Sequence, residues 1–348
     1  MHKLTIALGA ALLFTTAHIA QAQEEIVSCA ALGSAELNKL EKVYSLGDIR
    51  VFYTQQAPAS GTDHRLPPLS QVDGNGNGVP DYVENVAKQA DVSRKLYNAL
   101  GFRDPLGSSK YRAVKTIDIN LLNISANALA YDGAVYYPSA PGRGPNCTLR
   151  VDVSSNLELS GTFTTQWFVV GHEMFHLFQY GQTLFKRGWV NEPTAKWAEY
   201  ASRPGPFYPL GSPSYTLPST LPDFQATVVA ASTSQNANRF WSRLIDLVES
   251  EDGSLRIPAH LLSEQYTDGI AVIKDQTLRG AALISAIYQT LDAEDDIVSH
   301  LNGWNSYNWA ESDQTSSSHD PRILAAVQRA IRRTGTSNPE LNAFLDIE

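Results

Sequence analysis

The amino-acid sequence predicts an α+β protein with a sheet-containing first half and a mainly helical second half. Residues 49–54 (IRVFYT), 116–122 (TIDINLL) and 148–153 (TLRVDV) are β-branched or alternate apolar with polar positions, as half-buried strands do, and residues 134–137 (AVYY) add a fourth. From residue 164 onward the pattern changes to helical periods, over 164–180, 193–201, 237–249, 279–291 and 322–334. One further helical stretch, 82–100, sits among the strands.

The chain has 348 residues, 43% of them hydrophobic and 18% charged, which is enough apolar material to bury a core in one large domain or two ordinary ones. With 36 acidic against 27 basic residues and no basic cluster, it lacks the electrostatic footprint of a nucleic-acid binder. The first 22 residues, MHKLTIALGAALLFTTAHIAQA, combine a positive start at Lys3, a short apolar run and a small-x-small end, the pattern of a signal peptide cut after Ala22. That run is too short to span a bilayer, and no later stretch approaches that length. A secreted or periplasmic protein without a membrane anchor is therefore expected. Export allows the two cysteines, Cys29 and Cys147, to form a disulfide. The expected organisation is a signal peptide (1–22), an α/β part (23–180) and a mainly α-helical part (181–348). Within the latter, residues 204–222 hold six prolines and read as a long loop on the rim of a cleft.

Chemistry concentrates in residues 169–181, VVGHEMFHLFQYG. His172 and His176 stand four apart in an apolar helical stretch, so both imidazoles share a face and can address one metal ion, with Glu173 beside them. Such an HExxH pattern is a zinc signature: the ion wants a third protein ligand and an open position for water, and the glutamate can act as general base. Downstream, residues 188–200 (GWVNEPTAKWAEY) read as a turn opening a second helix, with Pro193 in its first turn. Glu192 and Glu199, seven apart on that helix, can each reach the ion.

His172-Glu173-x-x-His176 followed by Trp189-x-Asn191-Glu192-x-x-Ala195 resembles the gluzincins, zinc metallopeptidases whose third ligand is a glutamate on the next helix. The resemblance implies a zincin-like fold, Glu192 as third ligand and Glu199 as a carboxylate orienting a histidine. Two departures, a shorter spacer and Lys196 four residues after Glu192, keep Glu199 as an alternative ligand. Metzincins fit worse, because Gln179 and Gln182 stand where that class needs glycine and histidine. The resemblance also implies an edge strand at 148–153 lying over the 164–180 helix, to which an extended peptide could add.

Residues 73–84 (DGNGNGVPDYVE) match a 12-residue calcium loop position by position. Asp73, Asn75, Asn77, Asp81 and Glu84 offer side-chain oxygens, Val79 its carbonyl, and Gly78 makes the sharp turn. The preceding prolines rule out an entering helix, so the loop is expected to hold a structural calcium ion rather than to act as a switch. This loop together with a later HExxH looks like secreted bacterial metalloproteases.

The expected function is that of a secreted zinc endopeptidase acting on protein or peptide substrates. In this reading Glu173 is the base, Zn2+ the catalytic ion and Ca2+ a structural one. The oxyanion donor is left open among Tyr180, Tyr200, His260, Tyr266, Tyr288 and His300. The alternatives are a zinc hydrolase of a non-peptide substrate and a catalytically silent secreted binding protein. No nucleic acid or membrane partner is expected, and the sequence does not fix an oligomeric state.

Overall fold

Strands whose alternate residues are Val, Ile, Leu and Tyr must bury one face, and here they do so together. The computed structural model describes residues 29–157, 168–203, 215–230, 235–249, 253 and 255–348; the expected signal peptide and residues 204–214 of the proline-rich loop lie outside them. Strands β1 (Ala30–Ala31), β2 (Lys42–Leu46), β3 (Ile49–Tyr53), β4 (Val114–Leu122), β5 (Ala128–Tyr136) and β6 (Cys147–Ser154) form one mixed sheet in the order β1-β5-β6-β4-β3-β2. β3, β4 and β6 run parallel, β2 runs antiparallel to β3, and β5 runs antiparallel to β6 and parallel to β1. Gly47, at φ 59°, opens the two-residue turn that folds β2 back onto β3. Ile49, Val51, Ile117, Ile119, Leu121, Leu149, Val151 and Val153 are fully buried in the main core. Their neighbours in sequence, Arg50, Phe52, Asp118 and Asp152, fall on the opposite face by the period-2 rule. There Arg50 grips Asp118 with two hydrogen bonds (2.7 and 2.9 Å), and the Arg143 guanidinium lies 3.8 Å from the centre of the Phe52 ring.

Two helices of the main core fix the rest. Helix α1 (Asp81–Ala99) packs on β2 and β3, and α2 (Phe168–Gln182) packs on α1, β5 and β6. They approach closely at Gly171, where a Cβ would come 3.2 Å from Ser93 Oγ and 3.4 Å from the Tyr97 hydroxyl. That hydroxyl donates to the Gly171 carbonyl at 2.9 Å. Helix α3 (Gly188–Glu199) crosses α2, and α4 (Gln235–Val248), α5 (Ala281–Asn302), α6 (Asp320–Thr334) and α7 (Pro339–Leu345) complete the second half. One continuous cluster of buried side chains runs from Ile49 to Ile347. Cys29, beside β1, is disulfide-bonded to Cys147 at the start of β6, with Cα atoms 5.9 Å apart. Among the described residues no helix is long and apolar enough to cross a membrane.

Three expectations need correction. The strand at 148–153 is not an edge: β6 is interior, paired on one side with β4 and on the other with β5, and its residues are buried on both faces. β2 ends the sheet on one side; on the other, the strand with a mostly unpaired outer edge is β5, because β1 is two residues long and pairs only with Val135 and Tyr136. Its small, weakly alternating sequence (ALAYDGAVY) and a register shift between Tyr131 and Val135 hide all but its end from a periodicity reading. The helix expected over 279–291 continues to Asn302, where Gly303 at φ 66° ends it.

The third correction concerns Pro193, which lies inside α3 rather than in its first turn, since the helix begins at Gly188. A proline there has no N–H for the carbonyl four residues back, that of Trp189. The Trp241 indole N–H donates to that carbonyl at 2.7 Å in a buried setting, replacing the lost helix bond. Trp241→Phe should therefore lower stability by about 1–3 kcal/mol. Adding Pro193→Ala, which restores the helix bond, should recover part of the loss in a double-mutant cycle followed by denaturant unfolding. Strict additivity of the two substitutions would show that the indole is not the replacement donor.

Candidate metal centre

His172 and His176 project from one face of α2 with their Nε2 atoms 3.1 Å apart. From α3 the Glu192 carboxylate straddles them, Oε2 lying 3.6 Å from His172 Nε2 and Oε1 3.7 Å from His176 Nε2. Among the described residues these three form a metal-competent group, with one ligand atom from each within 4.8 Å of the others. A tetrahedral ion with ligand distances of about 2.0–2.1 Å has ligand–ligand edges of about 3.3–3.4 Å. The two Nε2 atoms stand near that spacing, and Glu192, which here divides its two oxygens between the histidines, would turn one of them toward a shared ion. The start of α3 is held by the second half of the chain. Arg187 forms two hydrogen bonds to Asp320 (2.7 and 2.8 Å), and the Trp189 indole donates to the same carboxylate at 2.8 Å.

Both imidazoles are oriented through their other nitrogen. His172 Nδ1 lies 3.2 Å from Glu199 Oε2, and the buried Glu199 carboxylate is balanced by Lys196 (2.5 Å) and Arg203 (3.0 Å). Glu199 thus faces Nδ1, away from the Nε2 cluster where Glu192 stands. His176 Nδ1 lies 2.7 Å from Gln179 Oε1. The Gln179 amide N–H groups are committed to the Asn191 carbonyl (2.9 Å) and to Thr194 Oγ1 (2.8 Å), so its oxygen must accept and His176 Nδ1 must carry the proton. The His176 Nε2 lone pair is left pointing at His172 and Glu192, an arrangement suited to a cation.

The charges follow from burial and proximity. Burial opposes a charge on His172, but the hydrogen-bonding carboxylates of Glu192 and Glu199, with Glu173 nearby, outweigh it and raise its pKa to about 9. Burial and the charge on His172 lower His176 to about 4. The bond to His172 lowers Glu192. Burial pushes Glu173 up to about 7, against the pull of His172 and of the Ala130 N–H of β5, which donates to Glu173 Oε2 at 2.7 Å.

The six candidate oxyanion donors separate. Tyr180 stacks on His176 (centroids 5.7 Å apart, planes at 8°), and the Tyr288 hydroxyl bonds Thr194 Oγ1 at 2.9 Å. Tyr200 and Tyr266 are buried, and His260 and His300 are exposed on the surface. Gln179, Thr194 and the Ala130 N–H escaped the sequence reading. Gln179 alone had a local signal, its i+3 spacing from His176.

In the 73–84 loop, Asp73 accepts from the N–H groups of Gly76 (2.8 Å), Asn77 (3.2 Å) and Gly78 (2.8 Å). The Asn75 and Asn77 amides donate to the two oxygens of Glu84 (2.8 and 2.9 Å), and the Val79 N–H donates to Asn77 Oδ1 at 2.8 Å. Asp81 Oδ2 accepts from Gly74 N–H at 3.0 Å, whereas Asp81 Oδ1 is buried without a hydrogen-bond partner. The carboxylates of Asp73, Asp81 and Glu84 and the amide oxygens of Asn75 and Asn77 thus gather in one loop, a set of oxygens of the kind calcium takes.

No family model, curated protein or solved structure matches this chain.

Gln179→Ala should weaken divalent-cation affinity about 10–100-fold by freeing the His176 ring, read in competition with a chromophoric chelator. An unchanged affinity would show that the ring is held by its stacking on Tyr180 alone.

Proposed function

We propose that this chain is a zinc-dependent peptidase of the gluzincin type, with His172, His176 and Glu192 as ligands and Glu173 as general base. The observation that carries the reading is the convergence of those three side chains from two crossing helices, with each histidine held at Nδ1, by Glu199 and Gln179, and a carboxylate of raised pKa beside them. A bound zinc ion would polarise the scissile carbonyl and acidify the attacking water. The chain's own residues do the rest. Glu173, anchored to β5 by the Ala130 N–H, takes the water's proton and returns it to the leaving amine, a task suited to a carboxyl poised at about 7. Gln179 and Glu199 hold the histidines in register. No strand pairs with the outer edge of β5 beside Glu173, and apart from the Ala130 N–H and the Asp132 carbonyl, which are already bonded, that edge can receive an extended substrate, which favours a peptide. The same reading takes the 73–84 loop as a structural calcium site, supported by the orphaned Asp81 oxygen. It also takes the disulfide as fitting a secreted or periplasmic protein.

Metal analysis of purified wild type and Glu173→Gln, beside casein hydrolysis, tests the proposal. Zinc should be present in both, and hydrolysis should fall by about 10²–10⁴-fold in the variant. Zinc in both with equal activity would remove Glu173 as base, and absence of zinc would dismantle the reading. Zinc uptake must expel the proton held at His172, so its apparent affinity should rise with pH from about 6 to about 9. A flat profile by calorimetry would contradict that assignment. Added calcium should raise the Tm of wild type but not of Glu84→Gln, and an equal response in both would refute the loop site.

A further inference from the structure

One turn past His176, helix α2 ends against an open cavity of about 440 Å³ whose walls include Arg103, Lys110, Tyr180, Thr183, Asp292 and Tyr307. Two features join this cavity to the candidate metal centre. Tyr180 lines it and also stacks on His176. Strand β5 passes both places: the Ala130 N–H binds Glu173, and two residues on the Asp132 carbonyl accepts from the hydroxyl of Tyr111, next in sequence to Lys110. At about 3.3 Å per residue the two points lie about 7 Å apart along the strand. An extended chain lying on β5 with a carbonyl at the metal centre would thus bring a neighbouring side chain to the cavity.

The wall's charges are satisfied within the protein, with one exception among the buried groups. Arg103 grips Asp292 with two hydrogen bonds (3.2 and 2.6 Å), and Asp295 accepts from Thr183 Oγ1 and Leu184 N–H, both at 2.7 Å. Nearby Lys186 is held by Asp132 (2.5 Å) and Glu311 (2.6 Å), and Asp296 lies exposed at the rim. Lys110 is buried, and its Nζ, itself closed to solvent, has no hydrogen-bond partner; Asp132, Asp295 and Glu311 act on it only through space, and the face of its neighbour Tyr111 lies 5.2 Å from the ammonium. A buried ammonium without a partner is costly, and the group that would relieve the cost is an anion entering from the cavity.

We propose that the cavity is a substrate pocket for a carboxylate and that Lys110 is the residue that recognises it. The inference rests on the peptidase reading for the identity of the substrate, and it assigns this chain a preference for an acidic residue, or a free C-terminus, next to the bond it cleaves. The carboxylate would replace the missing partner of Lys110 by a charge-assisted hydrogen bond.

The test has a cleavage arm and a binding arm, each run on wild type, Lys110→Met and Lys110→Arg. In the first, fluorogenic hexapeptides carry Glu, Gln or Leu at each position within two residues of the scissile bond. Wild type should favour Glu over Gln by at least about tenfold in kcat/KM at one position. That ratio should collapse to near one in Lys110→Met and be partly kept in Lys110→Arg. In the second, calorimetry compares N-acetylglutamate amide (side-chain carboxylate only), N-acetylalanine (terminal carboxylate only) and N-acetylglutamine amide (neither). Binding of either carboxylate probe in preference to the last, lost in Lys110→Met, supports the pocket and tells which carboxylate it takes. Peptides cleaved without any Glu preference, or a preference unaffected by Lys110→Met, would overturn the pocket and leave the peptidase reading intact. Lys110-dependent binding without cleavage would do the reverse. Because Lys110→Met removes a buried unpaired charge, its Tm should not fall below that of wild type; a marked fall would mean that Lys110 serves the fold instead and would sink the proposal.

Discussion

A single amide side chain locks the two helices on which the candidate centre depends. Gln179 leaves α2 and donates both of its N–H groups to α3, at Asn191 and Thr194, the residues that bracket Glu192. With its donors committed, its oxygen can only accept, and that fixes the tautomer of His176. One residue thereby sets both the distance between ligand-bearing helices and the direction of a ligand's lone pair. A glutamate at this position would have no N–H to give α3, and a shorter amide would not reach both helices. The neighbouring Thr194, which bonds Tyr288 of α5, extends the same lock into the helical half of the molecule.

Lys196 shows how a departure from a motif can be absorbed locally. Four residues past Glu192, it occupies a place where an acidic residue would suit the resemblance better. In the structure it lies 2.5 Å from Glu199, which would otherwise be a buried carboxylate balanced by Arg203 and the histidine alone. The positive charge of Lys196 is met by Glu199 within one turn of helix, and the position of Glu199 against His172 Nδ1 is kept.

Whatever rests on residues close in sequence was legible beforehand. The spacing of His172 and His176, the oxygen pattern of the 73–84 loop and the strands with strong alternation all have their structural meaning within a dozen residues. Three features were not legible, each for a physical reason. Strand β5 mixes Ala and Gly with Leu, Val and Tyr on partly exposed faces, so it lacks the apolar alternation that marks β4 and β6. The true start of α3 was masked by Pro193, which reads as a helix opener unless one knows that a tryptophan 48 residues later in the chain supplies the missing donor. The cavity beside Lys110 is walled by segments nearly two hundred residues away, and nothing in the neighbouring sequence announces it.

The disulfide has a consequence for where this chain can remain soluble. β1 is only two residues long, too short to hold its place by backbone pairing, and the bond from Cys29 to Cys147 pins it against β5. In a reducing environment that pin is lost, and the unpaired edge of β5 extends from Ala128–Ala134 to the whole strand. An exposed sheet edge of that length is a template for pairing with other chains. Oxidation therefore acts here as a guard against self-association, quite apart from any stability it adds to the folded state.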